Sequence, residues 1–117
     1  MGTFTWPMRI ETLDRRRSLE LEPVVDTGAA YTVVPGWLLH ELGVEPRGLR
    51  RFELGDGQQI EGTFGEMVAT INGDTVTTLA IFGADRGPTL LGAYTLEGLG
   101  LAVDPVRQRL VRAVMVL

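Results

Sequence analysis

Val24-Val25-Asp26-Thr27-Gly28-Ala29 is the stretch that decides how this 117-residue chain reads. An acidic residue ends a short apolar run, a β-branched hydroxyl follows, and a glycine then permits a tight turn. Gly28 frees its backbone N–H to approach the Asp26 carboxylate closely. Thr27 has a hydroxyl that can bond a neighbouring group and lock the loop. The same residues also suit an ordinary Asx-type turn after a strand. Just upstream, Leu19, Leu21 and Val25 alternate with Glu20 and Glu22, the period of a strand with one wet face. Pro23 interrupts that pattern and marks an edge position or a bulge.

Downstream, Pro35 to Leu42 predicts a short helix, with proline near its first turn, Gly43 past its end, and Trp37, Leu38 and Leu42 on its buried face. Leu49–Leu54 and a long arm from Gln59 to Ile71 flank Gly55-Asp56-Gly57, a hairpin with a glycine tip. Asn72-Gly73 is the favoured pair for a two-residue type I′ turn and joins Met67–Ile71 to a strand over Thr75–Phe82. Gly83 to Pro88 reads as a loop. Leu90-Leu91-Gly92 is a brief buried strand entering a helix over Ala93–Leu99, stopped by Gly100. Two last strands, Leu101–Val103 and Arg109–Leu117, are divided by the turn Asp104-Pro105. Eight or nine short strands and two short helices without βαβ alternation give an all-β fold, a barrel or sandwich, as one domain over 1–117. Val24-Val25-Asp26-Thr27-Gly28 and Thr89-Leu90-Leu91-Gly92 echo one another as apolar pairs running into glycine loops.

Composition narrows the chemistry. All 11 basic residues are Arg, Cys is absent, and His40 is the single histidine. Lysine Schiff bases, thiolate nucleophiles, Cys-ligated metals and multi-His sites within one chain are thereby excluded. Carboxylate chemistry, hydroxyl chemistry or plain binding survive. A Ser-His-Asp triad would have to use Ser18, the only serine, with His40, and no spacing supports it. His40, late in its helix, suits the surface or the negative end of the helix dipole. The formal charge of −4 speaks against a nucleic-acid surface. Arg15–Arg17 and the set Arg47, Arg50, Arg51 read as solvated strand ends. Met1–Trp6 lacks the lipidation pattern, and no apolar run reaches the ~18 residues of a membrane span. The expected setting is the cytoplasm, without membrane contact. Asp56, Asp74, Asp85 and Asp104 fall at turns and read as turn formers.

Taken together and in order, these motifs resemble the retropepsin-like aspartic proteases, single-domain dimeric relatives of retroviral proteases and pepsins. The resemblance runs from about Leu19 to Leu110. Val24–Ala29 matches the catalytic loop, followed by Thr32-Val33. Gly55-Asp56-Gly57 stands where the family has its flap, Leu90-Leu91-Gly92 matches the second glycine loop, and Leu101–Pro105 resembles a segment of cellular and prokaryotic members. It implies a closed β-barrel with a flap hairpin, acting as a homodimer on peptide or protein substrates, with Asp26, Thr27 and Gly28 as catalytic residues. Ala29, Val33, Gly55, Asp56, Gly57, Pro88 and Leu90 are the implied substrate-binding residues. Val33, Pro88 and Leu90 read equally well as plain core.

One chain carries one such aspartate, so the implied chemistry needs a second copy across a twofold axis. Two carboxylates ~3 Å apart at an effective dielectric of ~20 repel by roughly 5 kcal/mol, so the pair holds one proton. The ionised member activates water and the protonated one donates to the peptide carbonyl; no metal or cofactor is needed. Thr27 is implied to brace the two loops across the subunits. Ala29 lacks the hydroxyl that many cellular relatives place beside the carboxylate, and a weakly acidic optimum is expected. Ala30 and Ala93 replace an acid–arginine pair of the retroviral enzymes, which implies small apolar packing there. Asp56 and Gln58 make the flap more polar than retroviral ones. The apolar tail Leu110–Leu117 suits a strand in a dimer interface or one in the chain's own core. An alternative reading is a dimeric peptide-binding module of the same fold without efficient hydrolysis.

Overall fold

The computed structural model describes residues 2–117; Met1, the first position of the stretch read for lipidation, lies outside them. Its elements run β1 (Met8–Glu11), β2 (Ser18–Leu21), β3 (Val24–Val25), β4 (Thr32–Pro35), α1 (Gly36–Leu42), β5 (Pro46–Glu53), β6 (Gln59–Ile71), β7 (Asp74–Gly83), β8 (Leu90–Leu91), α2 (Ala93–Gly98), β9 (Leu101–Asp104) and β10 (Arg109–Arg112). The main sheet has the path β2-β1-β6-β7-β4-β8-β3, with β5 added to β6, while β9 and β10 form a ribbon of their own. The expected barrel is realised as a curled half-barrel: β2 and β3, at the two ends of the path, do not pair.

β6 is the spine. Its first half pairs with β5 to make the glycine-tipped hairpin, and Val68–Thr70 pair with β1. All of Phe64–Ile71 is laddered to β7. The turn between β6 and β7 has the left-handed backbone that type I′ requires, with φ of 53° at Asn72 and 86° at Gly73. Met8, Ile10, Val34, Leu39, Met67 and Leu91 sit almost wholly out of solvent at the centre of the core.

Two strands have no counterpart in the sequence pattern, which raises the total to ten. β1 is four residues between Pro7 and an arginine-rich turn, too short for a period to emerge, although Met8 and Ile10 are both buried. β4 lies between β7 (parallel) and β8 (antiparallel). Covered on both faces, it shows no alternation.

Three expectations change. The helix over 36–42 buries Leu39 and Leu42, with Trp37 half exposed. The Trp37 indole turns outward because its Nε1–H donates to the Asp85 carbonyl at 3.2 Å, across the loop after β7. The flap arm starts at Pro46, three residues before Leu49, with a register shift between Pro46 and Gly48. The last strand stops at Arg112, and the remaining tail has no regular structure. Val114, Val116 and Leu117 are essentially fully exposed, so the tail is not in the chain's own core.

Glycines at two positions carry different duties. At Gly73 an added Cβ would meet nothing, and only the positive φ matters. At Gly92 it would lie 2.8 Å from the Thr32 nitrogen and closer still to the Tyr31 carbonyl, all backbone atoms that cannot swing away. Gly92→Ala is therefore expected to cost ~3 kcal/mol or more, and Gly73→Ala ~1 kcal/mol. Urea unfolding followed by circular dichroism checks the order; equal losses would contradict the close-approach account.

Candidate active site

β3 delivers Asp26 to the edge of the sheet. The strand is short but fixed on both sides: Val24 and Val25 run parallel to Leu90 and Leu91, and the Val25 N–H donates to the Phe4 carbonyl at 2.9 Å. The Asp26 N–H donates to the Leu91 carbonyl at 3.0 Å. The carboxylate is half-buried, and its Oδ1 accepts the Gly28 N–H at 2.9 Å, the close approach that glycine permits. The Ala29 N–H returns to the Asp26 carbonyl at 3.1 Å and closes the turn. Thr27 is exposed, and among the described residues its hydroxyl has no hydrogen-bond partner.

The second glycine loop is welded to the first. Ala93 N–H donates to the Ala29 carbonyl at 2.8 Å and Tyr94 N–H to the Ala30 carbonyl at 3.0 Å. Around positions 30 and 93 these main-chain hydrogen bonds hold the loops together. Below them lies a buried chain of threonine hydroxyls: Thr78 and Thr32 each contact Thr95 Oγ1, at 2.8 and 2.6 Å. The Gly92 N–H donates to Thr32 Oγ1 at 3.2 Å. Three strands and helices are pinned at one point with no buried side-chain polar atom left unpaired among the described residues.

A groove of ≈ 600 Å³ opens beside the aspartate loop, within the range of about 300–1,000 Å³ usual for ligand clefts. Gly28, Ala29 and Val33 of the sequence-derived set form part of its wall. Tyr31, Phe52, Ile60, Ile81 and Phe82 were not foreseen, yet they also line it. Phe52 and Ile60 are register partners across the flap hairpin, a pairing that counting outward from the glycine tip would have found. Gly55, Asp56 and Gly57 form the exposed tip and do not line the groove. Asp56 Oδ1 accepts the Gln58 N–H at 2.9 Å, so its observed work is to close the turn. Pro88 is exposed outside the groove, and Leu90 is half-buried, paired with Val24 and Val33. His40 is exposed in the last turn of α1, its ring against Phe82. Among the described residues, no group of three or more His, Cys, Asp or Glu side chains is placed to hold a metal, and no helix is long and apolar enough to cross a membrane.

No family model and no curated protein matches the chain. Solved structures do. EIAV protease in complex with an inhibitor superposes with a TM-score of 0.57 at 21% identity, over 99% of this chain and 94% of that one. Simian Foamy Virus (mac) protease gives 0.52 at 18%, over 78% and 91%. A retropepsin-like aspartic protease from Rickettsia conorii gives 0.51 at 18%, over 88% and 85%. The fold is retropepsin-like. The retropepsin-like half-barrel thus carries an aspartate loop braced from beneath by hydroxyls. Thr95→Val, which strands the Thr78 hydroxyl in the core and leaves Thr32 Oγ1 only the Gly92 N–H, is expected to cost about 1–3 kcal/mol, whereas Thr95→Ser retains most of the stability. Urea midpoints check this; a Val variant as stable as the wild type would show that the hydroxyl chain contributes nothing.

Proposed function

We propose that the chain is an aspartic endopeptidase that works as a homodimer, Asp26 of each copy supplying half of the catalytic pair. The observation that carries the reading is the state of the Asp26 loop. It is rigidly held by its own backbone bonds and the second glycine loop, yet it presents Thr27 and Gly28 outward at a sheet edge. A single copy offers one carboxylate, which can accept a proton or donate one but cannot do both at once. A second copy related by a twofold axis supplies the missing partner with no new residue. The exposed apolar tail Val114–Leu117 is the surface such a partner would cover, and the free Thr27 hydroxyl is available for a bond across the axis.

In the assembled pair, repulsion at ~3 Å keeps one proton on the two carboxylates. The ionised member draws a proton from a water held between them as that water attacks the peptide carbonyl carbon. The protonated member donates to the carbonyl oxygen, and the resulting gem-diol collapses with proton transfer to the leaving nitrogen. Gly28, Ala29 and Val33 border the bound peptide on one side. In this reading the flap tip, Gly55–Gly57, closes over it from the other, while Leu90 supports the site indirectly through its pairing with Val24 and Val33 and Pro88 stays outside the groove. The substrate is an extended peptide with apolar residues beside the scissile bond.

One observation favours the alternative of a binding module. The flap tip is polar, and Asp56 is engaged in its own turn. The two readings separate on one experiment. An unbiased peptide pool is incubated with wild type and with Asp26→Asn from about pH 4 to 7.5. A peptidase cleaves only as wild type, with a bell-shaped profile peaking in the weakly acidic range, and the substitution lowers the rate by ~10⁴-fold or more. Equal cleavage by both proteins would remove Asp26 from the mechanism, and binding without cleavage by the wild type would leave the module.

A further inference from the structure

We propose that Tyr31 selects what the groove accepts: its ring forms a fixed aromatic wall against which a large apolar side chain of the bound peptide packs, aromatic ones best. The inference rests on the groove being the peptide site of the proposed peptidase, and it names the residue that sets that site's preference.

Tyr31 follows the aspartate loop by three residues, and its backbone is gripped where Gly92 passes close to its carbonyl. Its side chain is held from two directions. The Phe52 ring on the flap arm meets it edge-on, at 6.1 Å between centroids and 83° between planes. The Tyr94 ring, on the helix after the second glycine loop, lies 5.4 Å away at 47°. Phe52 is itself pressed onto Gly62, where an added Cβ would come within 3.0 Å of the Phe52 ring. Rings stacked this way are worth about 0.5–1.5 kcal/mol per pair beyond their buried area, so the wall is largely in place before anything binds.

The rest of the groove's apolar lining is aliphatic and aromatic, with Val33, Ile60, Ile81 and Phe82 among it. The charged members of the lining, Arg51, Glu53 and Glu61, all belong to exposed positions of the flap arms. Arg51 and Glu61 are register partners, so opposite charges face each other at that rim. A charged side chain inserted past the rim would lose its water and find no ion to replace it. An apolar one would exchange water for the ring wall and the aliphatic floor, and a planar one would add a third ring to the Tyr31–Phe52 contact. The Tyr31 hydroxyl has no protein partner among the described residues, so the ring is what the proposal rests on.

The test measures binding and is independent of turnover. Blocked hexapeptides with one varied residue (Phe, Leu, Ala, Glu or Lys) in an alanine frame are titrated against full-length Asp26→Asn chain, watching methyl resonances of Val33, Ile60 and Ile81. Phe and Leu peptides are expected to bind about tenfold or more tighter than Glu and Lys peptides. In the same background, Tyr31→Phe is expected to keep the ratio. Tyr31→Leu, similar in hydrophobic character but without the ring, reduces the Phe-over-Leu preference to near unity, and Tyr31→Ala removes most of the discrimination. The selectivity ratio is decisive, since a merely structural role would weaken all peptides alike. Equal binding of charged and apolar peptides, no binding of any, or an unchanged ratio in Tyr31→Leu would overturn the proposal. Should Tyr31→Ala fail to fold, the Phe and Leu variants decide alone. Absence of cleavage by the wild type with this binding pattern intact would sink the peptidase reading and leave the role of Tyr31 standing.

Discussion

The main chain of Gly92 passes so close to the carbonyl of Tyr31 that no side chain fits between them. This crossing is the constraint on which the site depends. With the two loops in contact, Asp26 N–H reaches the Leu91 carbonyl, and the Ala93 and Tyr94 N–H groups reach the carbonyls of Ala29 and Ala30. Underneath, Thr32, Thr78 and Thr95 join both loops to β7 by hydroxyl contacts in the core. Satisfied polar networks of this kind specify one arrangement, because each alternative strands a buried group. The aspartate is therefore positioned by main chain and hydroxyls, with no charged partner.

The same crossing explains why the groove lies where it does. Tyr31 leaves the crossing on the side of β5 and β6, where Phe52 meets it. Asp85 holds the opposite wall: its carboxylate accepts the Trp37 N–H at 3.1 Å, and its carbonyl the Trp37 indole. Gly83, at the root of that loop, leaves no room for a Cβ beside Val33. That wall is thus tied to β4, the strand that follows the aspartate loop. In the proposed dimer, the twofold-related partner supplies a second carboxylate and a cover for the exposed Val114–Leu117.

Much of this was legible in the chain. Asn72-Gly73 named its turn and therefore the β6–β7 register; Gly43 and Gly100 placed the helix ends, each with positive φ. The Asp26–Gly28 contact followed from glycine's lack of a Cβ. The illegible parts share a physical cause. Thr32–Pro35 is covered on both faces and shows no period, and Met8–Glu11 is too short to show one. The tail after Arg112 is apolar without being buried, since apolar composition alone does not say whose surface covers it. Trp37 turned outward for a hydrogen bond that only the fold creates. The groove walls Tyr31, Phe52, and the pair Ile81 and Phe82 come from three separate segments, and the threonine chain spans more than sixty residues. Such long-range meetings leave no local signature.

The central claim is that the working site is shared between two copies, and mixing tests it most directly. Wild-type and Asp26→Asn chains are unfolded together, refolded at fixed total concentration and assayed against a cleaved peptide as the wild-type fraction varies. If each site needs Asp26 from both chains, activity follows the square of that fraction, falling to about one quarter at an equal mixture. A linear decline, to about one half, would mean that one chain's carboxylate suffices and would contradict the shared site.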